Sequence, residues 1–201
     1  MFRKVRESVL KTGWSLGLYT PPDRRVLEEA LRAFAARADV RRVLFVGVKA
    51  YNRHLKDLFV GPSSLGGEGR TFATIDPVPE FAEFGGSPHF VDVLENLDRH
   101  VEAESFELVV MNGVIGFGLN DPANVERALT QVHRALVPGG ELFLGINERI
   151  PTHVDLTGVE AMRLFSPKPF ALFGAPRQVI ETPFREETHT FELWERPRAP
   201  A

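Results

Sequence analysis

The stretch that most constrains this chain is Val43-Leu44-Phe45-Val46-Gly47, an apolar run that stops on a glycine. So short a run reads as a strand buried on both faces, the kind found in the middle of a parallel sheet. Further β-rich runs follow at Thr71–Asp76, His89–Val93, Phe106–Asn112 and Glu141–Gly145. Segments with helical spacing lie between them. Alternation of this kind predicts a parallel sheet with helices on both faces. In such a sheet the ligand sits where the first strand turns towards its helix, because glycine admits a close backbone approach and a helix N-terminus offers free N–H groups. Gly47 is expected to mark that turn.

The 201 residues suffice for one domain of ordinary size. With 43% hydrophobic and 25% charged residues, a full core can be buried. A formal charge of −3 provides no global basic field and argues against a dedicated nucleic-acid binder. The absence of cysteine removes disulfides, thiolate metal sites and cysteine nucleophiles together. The six histidines show no His-x-x-x-His or similar spacing, so no metal site is expected. No apolar run is long enough to span a membrane, and the first residues lack a signal-type apolar core, so the default expectation is cytoplasmic.

In chain order, Phe2, Val5, Val9 and Leu10 mark an N-terminal helical segment over 1–22, either packed on the domain edge or acting as a lid. Pro21-Pro22-Asp23 starts the next helix, whose stripe Val26, Leu27, Ala30, Leu31, Phe34, Ala35 carries it to about Ala38. Residues 51–59 have helical spacing, and 61–69 form a glycine-rich loop. Leu94–Val101 reads as a polar helical segment or turn. Pro122 to Leu136 is the clearest helix, with Asp121 placed to cap it and Val125, Leu129, Val132 and Leu136 on one face. An irregular insertion around 150–175 precedes two terminal β-runs, Arg177–Thr182 and Thr188–Glu195.

The text FELVVMNGVIGFGL (106–119) followed by QVHRALVPGGELFLGIN (131–147) resembles the second half of a class I S-adenosylmethionine-dependent methyltransferase. The Arg134-Ala135-Leu136-Val137-Pro138-Gly139-Gly140 segment carries much of the likeness. The two terminal runs resemble that family's sixth and seventh strands, and the likeness spans about residues 24–196. It implies a doubly wound, mostly parallel seven-stranded sheet of Rossmann-like type with an antiparallel last strand. The domain would cover 23–201. The resemblance also implies S-adenosylmethionine as cofactor, and a small-molecule or peptide acceptor methylated on oxygen or nitrogen. A homodimer is compatible with it.

The family's first motif is kept only in part. Phe45 stands where that family has an acid, Gly47 is retained, and Lys49 and Tyr51 replace further glycines. Either the loop takes another course, with Lys49 or Tyr51 contacting the methionine carboxylate, or the site is degraded. The remaining implied cofactor positions are Val48, Asp76 and Pro77, Asp92 and Val93, and Asn112 and Gly113. Asp76 would accept hydrogen bonds from both ribose hydroxyls, since an ionised carboxylate only accepts. Asp92 would meet the adenine amino group and the Val93 amide the ring. Asn112-Gly113 would lie beside the methyl group to be transferred. Either acid alone reads as a cap or turn former, but two at successive strand ends read as ligand groups.

Candidates for a base are His54, His153 and Glu148, with Asn147 beside the last; His54 reads more readily as a helix-surface residue, His133 reads as structural, and His89 opens a strand at the opposite edge, away from the site. Phe117, Leu119, Asn120, Phe165, Phe170 and Phe173 could wall a pocket or simply pack the core. Two other readings stay open at this level. One is a catalytically silent methyltransferase-like binding subunit, motivated by Phe45, Lys49 and Tyr51. The other is a nicotinamide-dependent oxidoreductase, which would need a Gly-x-Gly-x-x-Gly loop that residues 47–52 do not supply.

Overall fold

The computed structural model describes residues 20–61, 65, 68–181 and 187–198. The expected N-terminal segment therefore falls almost wholly outside the described residues. The chain runs α1 (Pro22–Ala35), β1 (Arg42–Val46), α2 (Asp57–Val60), β2 (Thr71–Ile75), β3 (His89–Phe90) and β4 (Phe106–Asn112). It continues through α3 (Pro122–Ala135), β5 (Leu136–Glu148), β6 (Ser166–Pro167), β7 (Arg177–Glu181) and β8 (Thr188–Glu195). These strands form one eight-stranded sheet, ordered β3-β2-β1-β4-β5-β8-β6, with β7 also on β8. The first five strands are mutually parallel, and β8 enters antiparallel between β5 and the outer pair. The sheet contains the seven expected strands and adds the two-residue β6.

Alternation along the central strands divides the core in two. Leu44 and Val46 of β1 and Val109 and Met111 of β4 face α3, where Val125, Leu129 and Val132 are fully buried. Val43, Phe45, Leu108 and Val110 face the opposite layer, against Leu27, Leu31 and Phe34 of α1. This is the burial of both sheet faces that the unbroken apolar runs require. Asp121 caps α3 by accepting from the amides of Ala123 at 2.8 Å and Asn124 at 3.1 Å.

Three elements depart from the sequence reading. The segment after β1 is a 3-10 turn at Ala50–Asn52 followed by the single-turn α2, not a continuous helix. Lys49 enters it with extended backbone, and Gly61 ends it, also extended. The third strand keeps only His89 and Phe90; Asp92 lies beyond it with its carboxylate accepting from the Val93 amide, and the 3-10 segment Leu94–Arg99 follows. Helix α3 stops at Ala135, one residue early, and Pro138-Gly139-Gly140 lies in the irregular start of β5. Gly139 adopts φ +83 there, where a side chain would be strained.

Away from the cavity described below, the β5 side chain Glu141 is 1% exposed. Arg37 and Lys168 each approach it at 2.6 Å, and Lys168 also pairs with Glu195. A buried carboxylate survives only with such partners.

Candidate active site

The parallel strands end at a cavity of about 290 Å³, placed where the strand order passes from β1 to its neighbour β4 and the chain connections turn to opposite sides. That is the topological switch point of an open α/β sheet. Its walls include Gly47, Lys49 and Tyr51 after β1, Asp76 and Pro77 after β2, Asp92 and Val93 after β3, and Asn112 and Gly113 at the end of β4. Val48 is not in the lining; it is buried, and its backbone amide works behind the wall.

Asp76 organises the site. It is 5% exposed, and both carboxylate oxygens accept from backbone amides: Oδ2 from Val48 at 2.8 Å and Oδ1 from Val78 at 2.9 Å. One side chain therefore ties the turn after β1 to the turn after β2. A carboxylate offers about four acceptor positions, so roughly half remain for a ligand. The Gly47 amide donates to Ile75 O at 2.9 Å, and its φ of +77 is a conformation that favours glycine. A Cβ added there would come within 3.1 Å of Val114 Cγ2.

The side chains that replace glycines after Gly47 do not crowd the backbone turn. Lys49 sends its ammonium 3.8 Å from the centroid of Phe81, a cation–π contact. Tyr51 is 45% exposed, with the Arg24 guanidinium 4.0 Å over its ring, and Arg24 also donates to Asn52 Oδ1 at 2.8 Å. Phe45 is buried and stacks on Phe72 with ring centroids 5.9 Å apart. An acid there would face the α1 core. The turn after β1 is tied to the end of the neighbouring strand by Asp76.

Asp92 is equally fixed. Its Oδ1 accepts from Asn96 Nδ2 and from the Val93 amide, each at 2.8 Å, and its Oδ2 lies 2.9 Å from His100 Nε2. The hydrogen bonds from Asn96 and His100 hold its carboxyl down to about 2. Asp92 is thus an anion with one oxygen already doubly used.

His54 and Glu148 stand outside the lining. His54 Nε2 meets Glu28 Oε1 of α1 at 3.1 Å on the surface. Glu148 accepts from Arg177 at 2.6 Å and from the Thr188 hydroxyl at 3.4 Å. His153 is exposed in the turn after β5. His133 packs edge-on against Phe165, and His89 Nδ1 lies 2.8 Å from the Thr74 hydroxyl. Among the described residues no group of three or more His, Cys, Asp or Glu could hold a metal ion, and no helix is long and apolar enough to cross a membrane.

The polar residue that sequence reasoning missed is His189, on β8 between β5 and the outer strands and 3% exposed. Burial pushes its imidazole down to about 4, with Asp23 pulling it up, Arg24 down and Glu148 up. An unfolded histidine takes up its proton near pH 6.5 while folded His189 resists until about 4, so its contribution is intact above 6.5 and lost as pH falls towards 4. Burial also lowers His89 and His133, which steepens the trend. Between pH 7.5 and 4.5, urea unfolding should show His189→Gln losing roughly 2–3 kcal/mol less stability than the parent chain. Equal losses in the two proteins would mean that His189 titrates normally.

No protein-family model matches the chain, and no curated protein matches it. Solved structures do. The N-methyltransferase NodS from Bradyrhizobium japonicum WM9 aligns with a TM-score of 0.64 at 16% identity, over 88% of this chain and 98% of that one. NodS in complex with S-adenosyl-L-homocysteine aligns with a TM-score of 0.60 at 18% identity, covering 90% and 91%. The Burkholderia thailandensis 1,6-didemethyltoxoflavin-N1-methyltransferase, with its substrate and S-adenosylhomocysteine bound, gives a TM-score of 0.56 at 16% identity, covering 98% and 87%. The chain therefore has the fold of the class I S-adenosylmethionine-dependent methyltransferases.

Proposed function

We propose that the chain binds S-adenosylmethionine and transfers its methyl group to an oxygen or nitrogen of a small-molecule or peptide acceptor. The observation that carries this reading is Asp76: a buried carboxylate at the end of β2, beside the Gly47 turn, with acceptor capacity left over at the cavity. A ribose diol, with two donors, suits it. The cavity's other walls fit the rest of such a ligand. Val93 and Leu94 offer an apolar surface to a purine, and Lys49 a cation to a carboxylate. Asn112 and Gly113 border the region where the methyl group would be delivered.

The cofactor supplies an electrophilic methyl group on a sulfonium, displaced in line by the acceptor. The protein's work is then mainly alignment and exclusion of water. Gly47 and Gly113 keep the backbone close, and Asp76 fixes two loops against each other before any ligand arrives. Alignment suits an acceptor nitrogen with a free lone pair; an acceptor hydroxyl would also need a base. Support for nitrogen comes from NodS and the toxoflavin enzyme, both described as N-methyltransferases.

Incubation with methyl-labelled S-adenosylmethionine and panels of amines, hydroxyl compounds and short peptides tests the reaction. The expected result is acceptor-dependent label transfer to nitrogen or oxygen, with S-adenosylhomocysteine formed in equal amount. Label found only on carbon, or no turnover by a chain that binds the cofactor, would overturn the assignment.

A further inference from the structure

We infer that His189 is a positioning residue, one that reaches across from antiparallel strand β8 and fixes the side-chain amide of Asn112 at the edge of the cavity. Its bearing on methyl transfer rests on the reading of the cavity given above; the geometry does not. In the β5–β8 register His189 lies opposite Asn147. Its Nδ1 is 3.1 Å from Asn147 Oδ1, and its Nε2 is 3.0 Å from Asn112 Oδ1. One buried ring thus grips the polar residues near the ends of both β4 and β5. The ring leans on Phe191 with centroids 4.5 Å apart, which limits its rotation.

Space for this clasp is kept by Gly145. A Cβ there would fall 2.0 Å from Asn112 Oδ1 and 2.7 Å from His189 Nε2. A methyl group and the clasp cannot coexist.

The chemistry of the ring makes the arrangement selective. A neutral imidazole has one N–H donor and one lone pair. It donates to the oxygen of one asparagine; the other, whose Oδ1 also lies against the ring, must turn its amide so that its NH2 donates to the remaining ring nitrogen. The tautomer of His189 therefore couples the two amides, and decides whether Asn112 turns a donor or an acceptor away from the ring. Asn112 lines the cavity and His189 does not. The histidine acts through the asparagine, which is what distinguishes positioning from contact.

Nuclear magnetic resonance of the ligand-free protein tests the clasp directly. The Asn112 side-chain amide signals, assigned by their loss in Asn112→Ala, should move towards free-amide positions in His189→Phe while the rest of the spectrum holds. His189→Gln, which retains an amide, should restore part of the shift and serves as the probe if the phenylalanine variant does not fold. Calorimetry then compares S-adenosylmethionine with S-adenosylhomocysteine, which differ at the sulfur. The ratio of their affinities should change by about three- to tenfold in His189→Phe, the scale of one buried hydrogen bond. Asn112→Ala should change it likewise, and the double variant no further. Unmoved Asn112 signals, or effects that simply add, would overturn the inference. A clasp visible in the spectra of a chain that binds neither compound would instead count against the cavity's assignment alone.

Discussion

Replacing Asp76 by alanine is expected to weaken S-adenosylhomocysteine binding by about a hundredfold or more. A ribose diol on this carboxylate makes two charge-assisted hydrogen bonds of about 1.5–3 kcal/mol each, and 1.4 kcal/mol is tenfold in affinity. The variant also frees the amides of Val48 and Val78, which the carboxylate now holds at 2.8 and 2.9 Å. Loop loosening therefore adds to the lost contacts. Asp76→Asn separates the two effects, because the amide keeps one acceptor oxygen for a loop but has no charge to offer a diol. The asparagine variant should stay closer to the parent in thermal stability than the alanine variant, while still binding weakly. Parent-like affinity in Asp76→Asn would mean that the ribose is recognised elsewhere.

The largest effect on stability is expected at Phe143 of β5. Its ring is fully buried and stacks on Phe191 of β8 at 5.4 Å, with Phe34 of α1 edge-on at 5.5 Å and Phe170 at 5.8 Å. Phe173 closes the cluster. This one side chain joins the first helix, the insertion and the terminal hairpin to the sheet, so its loss leaves a cavity that no single element can collapse to fill. Phe143→Ala should cost about 3–5 kcal/mol in denaturant unfolding. For a chain of this length that is a fall of roughly 10 °C in melting temperature. Hydrogen exchange should quicken in residues 165–175 before it does in β1. A loss below about 1 kcal/mol would mean that the insertion and hairpin are not anchored through this ring.

The parts of the fold that the sequence made legible are those decided by local pattern. β4 was expected at Phe106–Asn112 and lies there, and the Asp121 cap and one face of α3 follow from helix-start chemistry and spacing. The cavity's acids were findable because each ends an apolar run. Less legible were elements set by side chains that reach back to backbone. Asp92 stands beyond a strand of two residues, its carboxylate on the Val93 amide, and the segment after β1 never becomes a full helix. Phe45 alone looked like a damaged motif, and only the fold shows its ring packed on Phe72 while Asp76 holds the Val48 amide. His189 was invisible because its partners lie 77 and 42 positions away, brought together by antiparallel register. The one available signal was a histidine at an inward position between threonines in an otherwise apolar-facing strand.

The most direct test of the central claim is calorimetric titration of S-adenosylhomocysteine into the unmodified chain. Binding with micromolar affinity and one site per chain, abolished in Asp76→Ala, is the result that this account of the cavity predicts. A flat titration with folded protein would contradict it.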